Sequence, residues 1–160
     1  MEPGTFLCFS DGACRGNPGP GGWGYMVQSD RGNLLHEDNG FLEKTTNNQM
    51  ELTAAIEALD YVTSVESVQE NLASPKVILY SDSKYVLDGL NSWVHGWKSR
   101  GWKKADKKPP ENLELWQRLD ALRGGFAEVR TVWVKGHSGH PQNERCDELA
   151  NMAIDEAEIW

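Results

Sequence analysis

Cysteine is scarce and poorly spaced for structural work: the 160-residue chain holds only Cys8, Cys14 and Cys146, with no CxxC or Cys/His grouping. That excludes a disulfide framework and a structural zinc site, and leaves reduced thiols. No apolar run approaches membrane-spanning length, and Met1 to Gly4 is short and polar for a signal peptide, so a cytoplasmic address is the expectation. Repeats and low-complexity linkers are also missing. The length suits one domain, residues 1–160, with a core able to fold unaided.

Positive charge is in short supply, with 16 Lys+Arg against 24 Asp+Glu and a net charge of −8. Spread evenly, that balance would argue against a nucleic-acid partner. It is not spread evenly. Between Val94 and Pro110, Lys98, Arg100, Lys103, Lys104, Lys107 and Lys108 face Asp106 alone, a local excess of five positive charges that leaves −13 on the rest of the chain. A basic protrusion on an acidic body can steer a polyanion to one place.

What the chain does have is a strand running into an aspartate. In TFLCFSDGACRGNPGPGG, Leu7 and Phe9 point to one face and Phe6 and Cys8 to the other, so the strand is buried on both sides and Asp11 stands at its end. Trp23 to Ser29 and Leu34 to Leu42 read as two further strands about an Asp30-Arg31-Gly32 turn, giving an antiparallel start. Thr45 to Asn48 supply caps for a helix with the apolar stripe Leu52, Ala55, Ile56, Leu59 and Val62, and Glu51 sits beside that stripe. Ser64 to Ser74 is polar and ambiguous.

Lys76 to Tyr80 is β-rich and ends in Ser81-Asp82, repeating the strand-then-aspartate pattern. Ser83 caps a helix to about Leu90, and Ser92 to Lys98 reads as a second short one. Asn112 opens a helix that ends at Gly124-Gly125, and Val129 to Val134 is a fifth strand. After the Gly136-to-His140 loop, Pro141 starts a last helix whose stripe is Cys146, Leu149, Ala150, Ala153, Ile154 and Ala157, with Asp147 at its edge.

Asp11, Glu51, Asp82 and Asp147 therefore share one kind of position, a strand end or a helix start at the margin of the buried face. If the strands of Asp11 and Asp82 are parallel neighbours, both carboxylates emerge at one sheet edge. Gathered carboxylates repel unless cations sit among them, and hard oxygen ligands suit Mg²⁺ or Mn²⁺. Two such ions support in-line phosphoryl displacement, the chemistry of nucleases and polymerases.

The motifs FSDGACRGNPGPGG, TTNNQMEL, YSDSKYV, GWKSRGWKKADKKP, LWQRLD and WVKGHSGHPQNERCDELA occur in this order almost from end to end. In them the chain resembles the bacterial type 1 ribonucleases H. The resemblance implies an α/β fold, a five-stranded mixed sheet of three antiparallel and then parallel strands flanked by helices. It implies hydrolysis of the RNA strand of RNA/DNA hybrids with two Mg²⁺ or Mn²⁺ ions, giving 5′-phosphate and 3′-hydroxyl ends. The family's metal-binding carboxylates fall on Asp11, Glu51, Asp82 and Asp147, and its mobile-loop histidine on His137, with a role in proton transfer or product release.

Further site residues follow from the same resemblance. Cys14, Gly16, Asn17, Asn47 and Asn48 match positions along the RNA strand, where the 2′-hydroxyl is read. Thr46 and Asn112 match a DNA-phosphate pocket to which Lys44 adds charge. Trp93, Trp97 and Trp102, interleaved with the lysines and Arg100, match the protrusion that grips the DNA strand, although Trp93 and Trp97 are spaced to pack on the body. His140 is expected only to make a local hydrogen bond.

The chain departs from the pattern in three places: extra residues between Glu51 and Asp82, Lys84 where Gln is frequent, and Ala13 where Ser or Thr is. Two other readings compete, a catalytically silent hybrid-binding module and an integrase- or resolvase-like relative. A silent descendant would have lost a metal ligand, whereas all four carboxylates are present, and the basic segment and TTNNQMEL favour the hybrid nuclease. With no apolar patch evident, the expected state is a monomer.

Overall fold

Strand β1 (Thr5–Cys14) takes the central place that its two apolar sides demand: Phe6 and Cys8 are buried on one face of the sheet, and Phe9 is buried on the other with Leu7 packed against it. In the computed structural model, which describes residues 4–65, 75–135 and 139–159, β2 (Gly19–Ser29) and β3 (Leu34–Thr45) extend the sheet antiparallel on one side. On the other side β4 (Lys76–Ser81) and β5 (Glu128–Trp133) add parallel, for an order β3-β2-β1-β4-β5. The expected mixed sheet is present. Its first strand runs further than the sequence suggested, because β1 stays paired with β2 as far as Cys14.

Helix α1 (Asn47–Ser64) covers one face. Of the four candidate caps, Thr46 is the one used: its hydroxyl accepts from the Gln49 amide at 3.2 Å, and the Gln49 side chain accepts from the Thr46 amide at 3.3 Å, a reciprocal capping box. The stripe Leu52, Ala55, Ile56, Leu59 and Val62 is fully buried in the larger core, together with Val77 and Leu79 of β4. Each such branched apolar side chain contributes roughly 1.5–3 kcal/mol on burial, so this face carries much of the stability.

Ser83 caps α2 (Lys84–Asp88), accepting from the Val86 amide at 3.2 Å. The expected break before Ser92 is missing. A π-helical turn, Gly89–Trp93, carries the backbone directly into α3 (Val94–Ser99), with Trp93 at φ −64° and ψ −40° and no side-chain cap to stop the run. Helix α4 (Leu113–Gly124) starts after Asn112, which takes a left-handed conformation with φ 59°, and it buries Trp116 and Leu119.

Helix α5 (Pro141–Ile159) covers the opposite face, where Cys146 packs with Phe9 and Met26. Its close approach depends on glycine: a Cβ on Gly22 would lie 2.1 Å from the Ala150 carbonyl oxygen, and one on Gly24 would lie 2.6 Å from that of Cys146. No helix among the described residues is long and apolar enough to cross a membrane. The ambiguous stretch after Ser64 lies largely outside the described residues, as do His137, the Ile159 side chain and Trp160.

Candidate active site

The parallel ladder between β1 and β4 closes at the Ser10–Ser81 pair, so Asp11 and Asp82 are the first residues beyond it and emerge side by side. Glu51 arrives from the second turn of α1. The backbone there permits close contact, since Gly12 donates its amide to Glu51 Oε1 at 2.8 Å and a Cβ on Gly12 would come within 2.5 Å of the Glu51 nitrogen. Asp11, Glu51 and Asp82 each present a carboxylate oxygen, and these oxygens lie within 4.8 Å of one another. Asp147, on α5, lines the same cavity of about 280 Å³ without joining that tight group; Gly12, Asn47 and Ser83 complete the lining.

Electrostatically this arrangement is incomplete. Asp11 and Glu51 are each only 4% exposed. Burial pushes the Asp11 carboxyl far above the usual carboxylate range, and Glu51, Asp82 and Asp147 push it further. Burial also raises Glu51, with Asp82 and Asp147 adding to the effect against the opposing hydrogen bonds of the Asp11 side chain and the Gly12 amide. The second Glu51 oxygen, Oε2, is buried with no hydrogen-bond partner. Three clustered carboxylates, one of them with an orphaned oxygen, are a donor set that a divalent cation completes, and hard oxygens fit Mg²⁺ or Mn²⁺. Asp11, Glu51 and Asp82 could hold such an ion.

Residues 3–155 match the family model described as RNase H. The chain belongs to the ribonuclease H family. It is 52% identical over 152 residues to a ribonuclease H of Bradyrhizobium diazoefficiens, covering 94% of this chain and 90% of that protein. Among solved structures it superposes on LC9-RNase H1, a type 1 RNase H with the type 2 active-site motif, with TM-score 0.81, 34% identity and coverage of 98% and 74% of the two chains. The structure of LC11-RNase H1 in complex with RNA/DNA hybrid gives TM-score 0.74 at 28% identity, covering 95% of this chain and 98% of that one.

Of the remaining residues that the family pattern picks out, Asn47 lines the carboxylate cavity. Asn17 Oδ1 accepts from the Asn47 amide at 3.0 Å, which ties the turn after β1 to the start of α1 beside the cavity. Cys14 donates its thiol to the Gly16 carbonyl at 2.7 Å, and Asn48 and Lys44 are exposed. Thr46 and Asn112 are joined through Gln49, whose amide nitrogen donates to Asn112 Oδ1 at 3.1 Å. Sequence reasoning missed Gln49, although its place three residues after Thr46 is the capping-box signature.

In the basic segment Trp97 is buried and Trp93 is 39% exposed. Both pack against Trp116, and Trp93 also meets the Tyr85 ring, so the packing role foreseen for the pair is realised. Trp102 is packed against the core. Lys98 is tied to Asp120 at 3.0 Å, whereas Lys103, Lys107 and Lys108 are exposed and Lys104 is half-buried. His140 makes the local bond expected of it, accepting at Nδ1 from the Asn143 amide at 3.3 Å.

Two connections were not foreseen. Arg145 clamps α5 to β3, donating to both oxygens of Glu37 at 3.2 and 2.8 Å. Asn151, one turn beyond Asp147, donates to the Asp147 carboxylate.

Proposed function

We propose that this ribonuclease H hydrolyses the RNA strand of RNA/DNA hybrids, with Asp11, Glu51, Asp82 and Asp147 holding a pair of divalent cations, Mg²⁺ or Mn²⁺. The observation that carries the reading is the partnerless Glu51 Oε2 within a knot of three carboxylates, a site that is electrostatically unsatisfied without cations. When bound, such ions activate water and stabilise the leaving oxygen of a phosphodiester. The protein's own part is to keep four anionic oxygen donors rigid at one sheet edge. Gly12 holds Glu51 from the main chain, so donor position does not depend on a flexible side chain.

Around that centre, Cys14, Gly16, Asn17, Asn47 and Asn48 line the RNA strand, where donors and acceptors at one level test for a 2′-hydroxyl. Thr46 and Asn112 with Lys44 bind a phosphate of the DNA strand, and Gln49 sets the distance between Thr46 and Asn112. Lys103, Lys104, Lys107 and Lys108, with Lys98, Arg100 and the exposed part of Trp93, engage the DNA backbone as a charged surface, and Trp97 and Trp102 support it from beneath. His137 moves a proton or assists product release. Residues 1–160 act as one domain and as a monomer, and three unpaired thiols suit a reducing cytoplasm.

The test is a substrate panel: labelled RNA/DNA hybrid, double-stranded DNA and single-stranded RNA, each with Mg²⁺ or with chelator. Cleavage confined to the hybrid and to the metal-containing reactions supports the reading. Equal cleavage of single-stranded RNA, or cleavage that survives chelation, contradicts it.

A further inference from the structure

Asp147 differs from the other three carboxylates. Asp11 and Asp82 follow the last rung of the β1–β4 ladder and Glu51 is held by the Gly12 amide, but Asp147 reaches the cavity from the flank of a helix and stands outside the close triad. Something else has to fix it. Asn151 lies four residues on, and its Nδ2 donates both to the Asp147 carbonyl oxygen at 2.9 Å and to the carboxylate Oδ1 at 3.2 Å.

That arrangement depends on which way the Asn151 amide points. Reversed, its oxygen would face the Asp147 carboxylate. Arg15 supplies the discrimination: Nη2 reaches Asn151 Oδ1 at 3.5 Å, and a guanidinium is a donor only, so it favours the amide oxygen on its own side and leaves the NH₂ toward Asp147. Arg15 is itself pinned to the far end of α5, bonding Asp155 at 2.6 Å and Glu158 at 3.0 Å. It belongs to the turn that carries Cys14, Gly16 and Asn17, where an arginine would otherwise be available to a nucleic-acid phosphate.

We propose that Asn151 is a positioning residue for the metal site: it holds the Asp147 carboxylate in the orientation that lines the cavity, with Arg15 setting the direction of the Asn151 amide. Arg15 thereby links the substrate-side turn to the fourth carboxylate rather than contacting phosphate. The inference rests on Asp147 being a cation ligand. Partners that orient a ligating carboxylate change metal affinity by roughly 10–100-fold when removed.

The experiment measures Mn²⁺ binding to the full chain by titration calorimetry, alongside kcat and KM for hybrid cleavage at saturating metal. Asn151→Ala is expected to weaken Mn²⁺ binding about 10-fold while KM for hybrid stays at the parent value. Arg15→Gln should weaken it in the same direction by a smaller factor, which gives a second reading should Asn151→Ala fold poorly. In the Asp147→Asn background Asn151→Ala should add nothing, because its effect passes through Asp147.

Parent Mn²⁺ affinity in Asn151→Ala overturns the inference, and so does a loss that persists in full in the Asp147→Asn background. Parent affinity in Asp147→Asn alone removes Asp147 from the ligand set, a failure of the functional reading distinct from a failure of Asn151 to position it.

Discussion

The amide of Gly12 donates to Glu51 Oε1 at 2.8 Å, and a Cβ at position 12 would stand 2.5 Å from the Glu51 nitrogen and from the Met50 carbonyl carbon. Strand β1 and helix α1 thus meet backbone to backbone at the residue that flanks Asp11. Gly12→Ala cannot be absorbed by a side-chain rotation, so α1 must shift and take Glu51 with it. The expected result is a loss of about 1–3 kcal/mol in urea unfolding, the size typical of overpacking, and a fall in metal affinity. Unaltered stability with unaltered metal binding would show that the contact is not restrictive.

Without cations the carboxylate cluster makes stability depend on pH in a defined direction. The native Asp11 and Glu51 carboxyls lie above their unfolded values near 3.9 and 4.3, so their contribution is fully present below about pH 4 and is lost as pH rises through the raised native values. In chelator, unfolding free energy should fall between pH 5 and pH 9, and Asp11→Asn should flatten the slope and stabilise the metal-free protein by about 1–3 kcal/mol at the upper end. Superimposable pH profiles for parent and variant would rule out this repulsion.

The Arg145–Glu37 pair predicts the opposite pH direction. Arg145 holds the Glu37 carboxyl below the ordinary range, so the pair stabilises above the unfolded value near 4.3 and loses that contribution as pH falls through the lowered native value. Both side chains are about a third exposed, at 33% and 27%, so solvent screening limits Arg145→Ala to about 0.5–1 kcal/mol at pH 7, vanishing near pH 2. A cost that stays the same at both pH values would assign the effect to packing of the arginine stem.

Charge reversal at Lys103 and Lys104 tests the basic segment separately from the chemistry. If these side chains neutralise DNA phosphates, KM for hybrid should rise and the slope of log binding against log salt should flatten by about one for each contact removed, with metal affinity unchanged. A KM equal to that of the parent at every salt concentration would contradict the assignment.

How far the sequence reaches is clearest in the carboxylates. Asp11 and Asp82 were legible because two β-rich runs each end in an aspartate, and a parallel pairing then brings them to one edge, which the register Ser10 to Ser81 realises. Glu51 and Asp147 were legible as polar residues beside apolar helix stripes. What could not be read was the set of cross-links between elements distant in sequence, such as Gly12 to Glu51, Gln49 to Asn112 and Arg15 to α5, since each depends on tertiary distances that no local pattern encodes. The continuous run from Lys84 to Ser99 was misread for a related reason. Ser92 looks like the start of a new helix, but the π-helical turn Gly89–Trp93 runs on into Val94, and buried Leu90 and Val94 hold the backbone in the core.

If Asp11, Glu51 and Asp82 hold the cations at which the RNA of a hybrid is cleaved, removing the Asp11 carboxylate must stop the reaction. Single-turnover cleavage of a labelled RNA/DNA hybrid at saturating Mg²⁺ by the parent and by Asp11→Asn tests it most directly. The rate in the variant should be lower by about a thousand-fold or more, with the fold intact. Cleavage by Asp11→Asn at the parent rate would contradict it.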